Sequence, residues 1–190
     1  YRSSRGLGDV YKRQDESNED LWFEKGELHR KLKQWEEAEA CYLNATEIRY
    51  TYGEAWLKLA QMKERRDNLR EAEDAYVIAL ELESNHGFAY LGLGRVQSKL
   101  ERVKEALKSI EKSISLLSDD YRPYMVRGDI YFGIGDYERA DAKGYSKAVN
   151  IRPDLKNGWR KLAKVYRSQD KKELLIMAPV SYTHLTLPTS

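Results

Sequence analysis

Aromatic residues return along this chain at a fixed interval. Trp22, Trp56, Tyr90 and Tyr124 stand 34 residues apart, and Trp159 follows after 35. Ala38, Ala72, Ala106 and Ala140 keep the same interval, and Trp35, Leu69, Val103 and Tyr137 place an apolar residue at a third step. A fourth column is small: Gly26, Ala60, Gly94, Gly128 and Ala163. Such a period marks a repeated supersecondary unit. Within a unit, Trp56, Leu59 and Ala60 fall on one helical stripe and Ala72, Ala75, Tyr76 and Ala79 on another. The polar pairs Lys33-Gln34, Asp67-Asn68, Glu101-Arg102 and Gly135-Asp136 separate the stripes, so each unit is expected to be an antiparallel helical hairpin with a short turn. Pro123 is placed in the first turn of a helix and Pro153 just past one. Ser17 or Asn18 is the expected N-cap of the first helix, with Glu19 and Asp20 in its first turn.

These columns resemble the tetratricopeptide repeat, whose signature is W-x2-L-G-x2-Y, then A-x3-F, then P. The first unit has Trp22, Gly26, His29, Ala38, Tyr42 and Ala45, with Lys25 where leucine is usual. The second has Trp56, Leu59, Ala60, Ala72, Tyr76 and Ala79, and the third Tyr90, Leu93, Gly94, Ala106 and Ile110. The fourth has Tyr124, Gly128, Tyr131 and Ala140, then needs one inserted residue to align Tyr145, Ala148 and Pro153. The fifth starts with Trp159, Leu162, Ala163 and Tyr166, but Lys172 and Leu175 depart from the pattern of its second helix. The resemblance implies an all-α, right-handed superhelical solenoid, with repeats at about 19–52, 53–86, 87–120, 121–155 and a partial one at 156–178. One hairpin alone cannot bury both apolar faces, so stacked neighbours are expected to complete the core.

The two ends lie outside this periodicity. Asp9-Val10-Tyr11-Lys12-Arg13-Gln14 can be encoded by GAT GTG TAT AAG AGA CAG, and the reverse complement of that string, read in another frame, encodes Val180-Ser181-Tyr182-Thr183-His184. The ends thus resemble translated transposase-type sequencing adapters. Residues 1–14 and 179–190 are set aside from fold reasoning, leaving 15–178 as the array. The formal charge of +2 falls to −1 over 15–178, because Arg2, Arg5, Lys12 and Arg13 leave with Asp9. A balanced charge leaves no electrostatic footprint for nucleic acid. No stretch approaches the length and apolarity of a membrane span. Compartment is unknown from the sequence, with the cytoplasm the favoured reading.

Chemistry-bearing motifs are sparse. Gly92-Leu93-Gly94 resembles the start of a dinucleotide fingerprint, but Gln97 stands at the third glycine position and no strand precedes it, so a role in helix packing is expected. His29 shares an aromatic column with Tyr131 and Tyr166, and His86 lies in a turn without a ligand partner at metal spacing. Cys41, the single cysteine, sits beside Tyr42 as a small packed side chain. Asn44-Ala45-Thr46 matches a glycosylation acceptor inside a predicted helix. The run Lys63-Glu64-Arg65-Arg66 is expected as a solvated helix end. No catalytic, cofactor-binding or metal site is expected.

The stripe beside the packing stripe on each first helix is expected to line a concave face. Its candidate binding residues are Phe23, Leu57, Gln61, Phe88, Leu91, Arg95, Arg122, Met125, Asp129, Phe132, Arg160 and Lys164. Phe23, Leu57, Leu91 and Met125 share one step, and the stripe turns from acidic to basic along the array, which suits a peptide with apolar anchors and a directional charge pattern. Some relatives in the family clamp the C-terminal carboxylates of chaperones with Lys, Asn and Arg. Here those steps hold Phe23, Glu27, Lys58, Phe88 and Gly92, which disfavours that partner. The sequence reads as a non-catalytic interaction scaffold for a protein or peptide. The alternative is a regulatory or docking segment of a larger enzyme or signalling protein.

Overall fold

The computed structural model describes residues 18–169, and helices form where the two stripes place them. Hairpin 1 pairs α1 (Glu19–Lys31) with α2 (Trp35–Ile48), and hairpin 2 pairs α3 (Gly53–Arg65) with α4 (Leu69–Leu82). Next come α5 (Gly87–Lys99), α6 (Val103–Leu116) and α7 (Tyr121–Gly133). The return helix of hairpin 4 is composite: α8 (Tyr137–Arg139), a π-helical turn (Ala140–Tyr145) and α9 (Ser146–Ile151). The last described helix is α10 (Lys156–Ser168), and among the described residues there is no strand. The adapter-like segments 1–14 and 179–190, Ser17, and the second helix of the fifth unit with Lys172 and Leu175 lie outside the described residues.

Each expected turn is made the same way. Lys33, Asp67, Glu101 and Gly135 take a left-handed backbone with φ of 61°, 63°, 62° and 77°. The next amide then donates to the carbonyl five residues back, as Asn68 does to Lys63 at 2.9 Å and Asp136 to Tyr131 at 2.9 Å. This satisfies carbonyls that the helix end leaves free. Only Gly135 adopts the conformation without a Cβ penalty. Asn18 caps α1, its side-chain oxygen accepting from the amides of Asp20 and Leu21 at 3.0 and 3.2 Å. His86 caps α5 through Nδ1, which accepts from the Ala89 amide at 3.2 Å.

The aromatic column has a second task besides filling space. Trp56 Nε1 donates to the Tyr50 carbonyl at 2.7 Å, Trp159 Nε1 to Pro153 at 2.8 Å and the Tyr124 hydroxyl to Ser118 at 3.2 Å. In each case the acceptor lies six residues upstream, in the connection from the preceding hairpin. Trp and Tyr thus join apolar bulk to a donor that fastens this connection.

The chain divides into two compact units, up to Val96 and from Gln97. In the first, Phe23, Ala38, Tyr42, Ala45, Ala55, Leu59 and Met62 form one core cluster. In the second, Met125, Tyr131, Ala140, Tyr145, Ala148, Val149, Leu162 and Val165 do the same. Gln97, the residue that interrupts the glycine fingerprint, is buried and accepts a 2.7 Å hydrogen bond from Ser109.

The extra residue of the fourth unit is absorbed by the π-helical turn, in which the Ser146 amide reaches back to the Asp141 carbonyl. A single-residue insertion widens one turn rather than breaking the helix. Gly144 lies there against α7 so closely that a Cβ would stand 2.4 Å from the Gly128 Cα. Arg127, at the step where leucine is usual, is buried, and its Nε donates to the Lys143 carbonyl at 2.9 Å while Nη1 meets Glu111 of α6 at 2.8 Å.

Candidate functional site

The first helices carry all of the predicted binding residues, and the structure corrects one part of that prediction. Phe23, Leu57, Leu91 and Met125 are only 7%, 6%, 4% and 8% exposed. They are packing residues, because stacked helices close over this step; the row of open apolar anchors expected from the sequence is absent from the surface. Gln61 and Phe132 are half-buried, and Phe88, Arg95, Arg122, Asp129, Arg160 and Lys164 are exposed. What the helices present is therefore mainly charge, with Phe88 and Phe132 as the accessible aromatics.

In the first unit that charge is organised around two tyrosines. The Tyr42 hydroxyl donates to Glu27 at 2.7 Å, and the same carboxylate accepts from Arg30 at 2.6 Å and lies 3.4 Å from Lys58 Nζ of the next hairpin. The Arg30 hydrogen bonds, opposed by partial burial and supported by the Tyr42 hydroxyl and the Lys58 charge, lower the Glu27 pKa from 4.5 to about 2. The Tyr76 hydroxyl instead donates to Glu64 at 2.9 Å, and Arg95 grips that carboxylate with Nε at 2.8 Å and Nη2 at 2.7 Å. Burial, together with the adjacent carboxylates, raises the pKa of both phenols.

The second unit repeats the first arrangement. Tyr145 donates to Asp129 at 2.7 Å, and Lys161 of the following helix approaches the same carboxylate at 2.6 Å. Glu27 and Lys58 are 31 residues apart and Asp129 and Lys161 are 32 apart, matching repeats of 34 and 35 residues. Sequence reasoning missed this pairing, although an acid followed by lysine at that offset was visible in it. Lys164 Nζ stands 4.7 Å from the centre of the Phe132 ring, Arg122 is paired with Asp120, and Arg160 is exposed on the same helix as Lys164.

The run Lys63-Glu64-Arg65-Arg66 is more than the solvated helix end expected from sequence. Lys63 bridges Glu39 and Glu71, Arg65 lies 3.7 Å over the Trp35 ring, and Arg66 meets Glu36 and Glu39. Hairpin 1 supplies Trp35, Glu36 and Glu39, which are far from the run in sequence, and hairpin 2 itself supplies the nearby Glu71. His29 Nδ1 is 2.8 Å from Gln34 Oε1. Cys41 is buried, and burial raises its thiol pKa, which works against thiolate chemistry. Among the described residues no group of His, Cys, Asp or Glu is placed to hold a metal ion. No described helix is long and apolar enough to cross a membrane.

A tetratricopeptide repeat model matches residues 19–52 and 89–119. MamA 41-end from Desulfovibrio magneticus RS-1 is similar in structure, with a TM-score of 0.78 and 19% identity over 90% of this chain and 95% of that one. YrrB, described as a TPR protein with an unusual peptide-binding site, gives a TM-score of 0.70 at 19% identity over 87% of each chain. PilF of Pseudomonas aeruginosa gives 0.75 at 16% identity over 93% of this chain and 79% of that one. No match is found among curated proteins. At these identities the likeness speaks for the fold: the chain carries tetratricopeptide repeats on the all-α helical-hairpin fold shared by these proteins.

Proposed function

We propose that this chain is a non-catalytic protein-interaction scaffold and that its first-helix faces receive an acidic peptide or partner helix. The observation carrying this reading is α10, which bears Lys156, Arg160, Lys161, Lys164 and Arg167 and no acidic residue. Only Lys161 of these meets a carboxylate among the described contacts, while Arg160 and Lys164 stay exposed, Lys164 with its Nζ over the half-buried Phe132. Cations flanking an aromatic suit an acidic segment with an apolar residue, the charges guiding approach and the ring supplying contact area. With Met125 closed into the core, recognition in this unit rests on Phe132, Arg160 and Lys164 rather than on an apolar row. In the first unit, exposed Phe88 and Arg95 and half-buried Gln61 form the corresponding face. The peptide-binding site of YrrB supports the reading by analogy of fold.

The test is selection of peptides from a displayed library, followed by titration of the enriched sequences. Acidic sequences with an aromatic or aliphatic residue are expected. Arg160→Glu with Lys164→Glu should weaken binding at least about tenfold and flatten its salt dependence. Lys108→Glu on α6 should leave binding unchanged. Enrichment of basic or uncharged sequences, or a larger loss from Lys108→Glu, overturns the assignment.

A further inference from the structure

The outward face of α1 is unlike the equivalent face of every other first helix. Leu21 and Leu28 lie along it and are 46% and 58% exposed. At the Leu21 step, Ala55, Ala89, Pro123 and Gly158 are all buried. At the Leu28 step, Met62, Val96, Ile130 and Val165 are all buried. In hairpin 2 the cover is visible: Ala45 of α2 shares one core cluster with Ala55, Leu59 and Met62 of α3.

Lys25 supplies a second, independent clue. It occupies the step of Leu59, Leu93 and Leu162, where a cation looks out of place under a covering helix. Arg127 occupies that same step in the fourth unit and is covered; Glu111, on the covering helix α6, meets its guanidinium at 2.8 Å. The chain thus contains its own example of a cation at this step being accommodated by an acid on the return helix of the preceding hairpin.

We propose that the Leu21, Lys25 and Leu28 face of α1 docks the return helix of a further hairpin of this repeat type, presenting small and aliphatic side chains with one carboxylate opposite Lys25. A second copy of the chain is a poorer occupant, because the described return helices α2, α6 and α9 already lie against the first helix of the hairpin that follows, α3, α7 and α10. This surface is separate from the first-helix face proposed for peptide binding, so either assignment can fail alone.

The experiment inserts a copy of residues 87–120 between Asn18 and Glu19 of the full chain, which keeps the 34-residue register and brings the copied Glu111 opposite Lys25. Amide exchange across Phe23–Arg30 should slow at least about tenfold relative to the original chain, with a gain in helical signal. Leu28→Lys in the grafted chain should abolish that protection, yet in the original chain it should leave melting unchanged, since Leu28 is exposed there. Lys25→Glu should remove part of the protection, and Glu111→Lys made in the grafted copy should restore it. A graft that stays unfolded, or α1 exchange that does not slow beneath a folded graft, overturns the proposal. So does self-association of the original chain that Leu28→Lys abolishes, which would make a second copy the occupant.

Discussion

Tyr42 and Tyr76 occupy the same step of successive hairpins, and both rings are wholly buried. Tyr42 lies over Gly26 of its own hairpin, where a Cβ would stand 2.7 Å from the ring. Its hydroxyl therefore meets Glu27, the next residue of α1. In hairpin 2 the matching position is Ala60, which carries a methyl where Gly26 has none, and Tyr76 lies instead against Gly92 of α5, where a Cβ would stand 2.2 Å from the ring. Its hydroxyl meets Glu64 together with Arg95. Tyr145 supports this account, since it lies over Gly128 and its hydroxyl returns to Asp129 in its own hairpin. The glycine each ring lies against thus goes with the carboxylate that its hydroxyl makes the centre of a charge network.

The largest effect should come from Gly92→Ala, which puts a methyl into the Tyr76 ring. A loss of about 2 kcal/mol is expected from overpacking, net of the helix propensity alanine returns, read as a shifted urea midpoint. Adding Ala60→Gly opens the space that Tyr42 uses in hairpin 1, so the double variant should recover a large part of that loss. Simple additivity of the two changes would break the comparison.

Tyr42→Phe and Tyr76→Phe come next, each removing one hydrogen bond to a carboxylate that keeps its cationic partners. About 1–2 kcal/mol is expected for each, from thermal or urea unfolding. A crystal structure of Tyr76→Phe with the ring still against Gly92 would show that sterics, not the hydroxyl, aims it.

Acid sensitivity should be milder and should show at Glu27. Glu27 is held at about 2 when folded against 4.5 unfolded, so its contribution is fully present above about pH 4.5 and is lost as pH falls toward 2. The stability gap between the parent and Glu27→Gln should accordingly narrow across that window. A gap that widens on acidification would contradict the Arg30, Tyr42 and Lys58 arrangement.

The smallest effect belongs to the exposed outer face. Lys108→Ala should stay within about 0.5 kcal/mol by urea unfolding. A larger loss would mean that this exposed position carries a contact the comparison leaves out.

The repeat hairpins, their turns and the insertion in the fourth unit were legible because the 34-residue period multiplies a weak local signal across several copies. The turn at Asp67-Asn68 and the cap at Asn18 fall at the expected places for the same reason: turn and cap chemistry is local. The candidate face was legible only in part. Helical spacing placed Phe23 and Arg160 on related stripes, but spacing describes one helix at a time and says nothing of how far a neighbour closes over it.

What the sequence by itself determined is therefore the unit, its length and the identity of each column, since these follow from side-chain periodicity along a single strand of information. The tertiary structure alone decided that Phe23, Leu57, Leu91 and Met125 are interior, that the Tyr76 ring lies against Gly92 of the next hairpin while its hydroxyl keeps Glu64 of its own, and that Arg127 reaches the Lys143 carbonyl in the π-helical turn. Each of these depends on which atoms from a distant helix occupy a volume of a few ångströms. Close packing makes that outcome all-or-none, and Ala60→Gly combined with Gly92→Ala tests whether a single methyl redirects the ring.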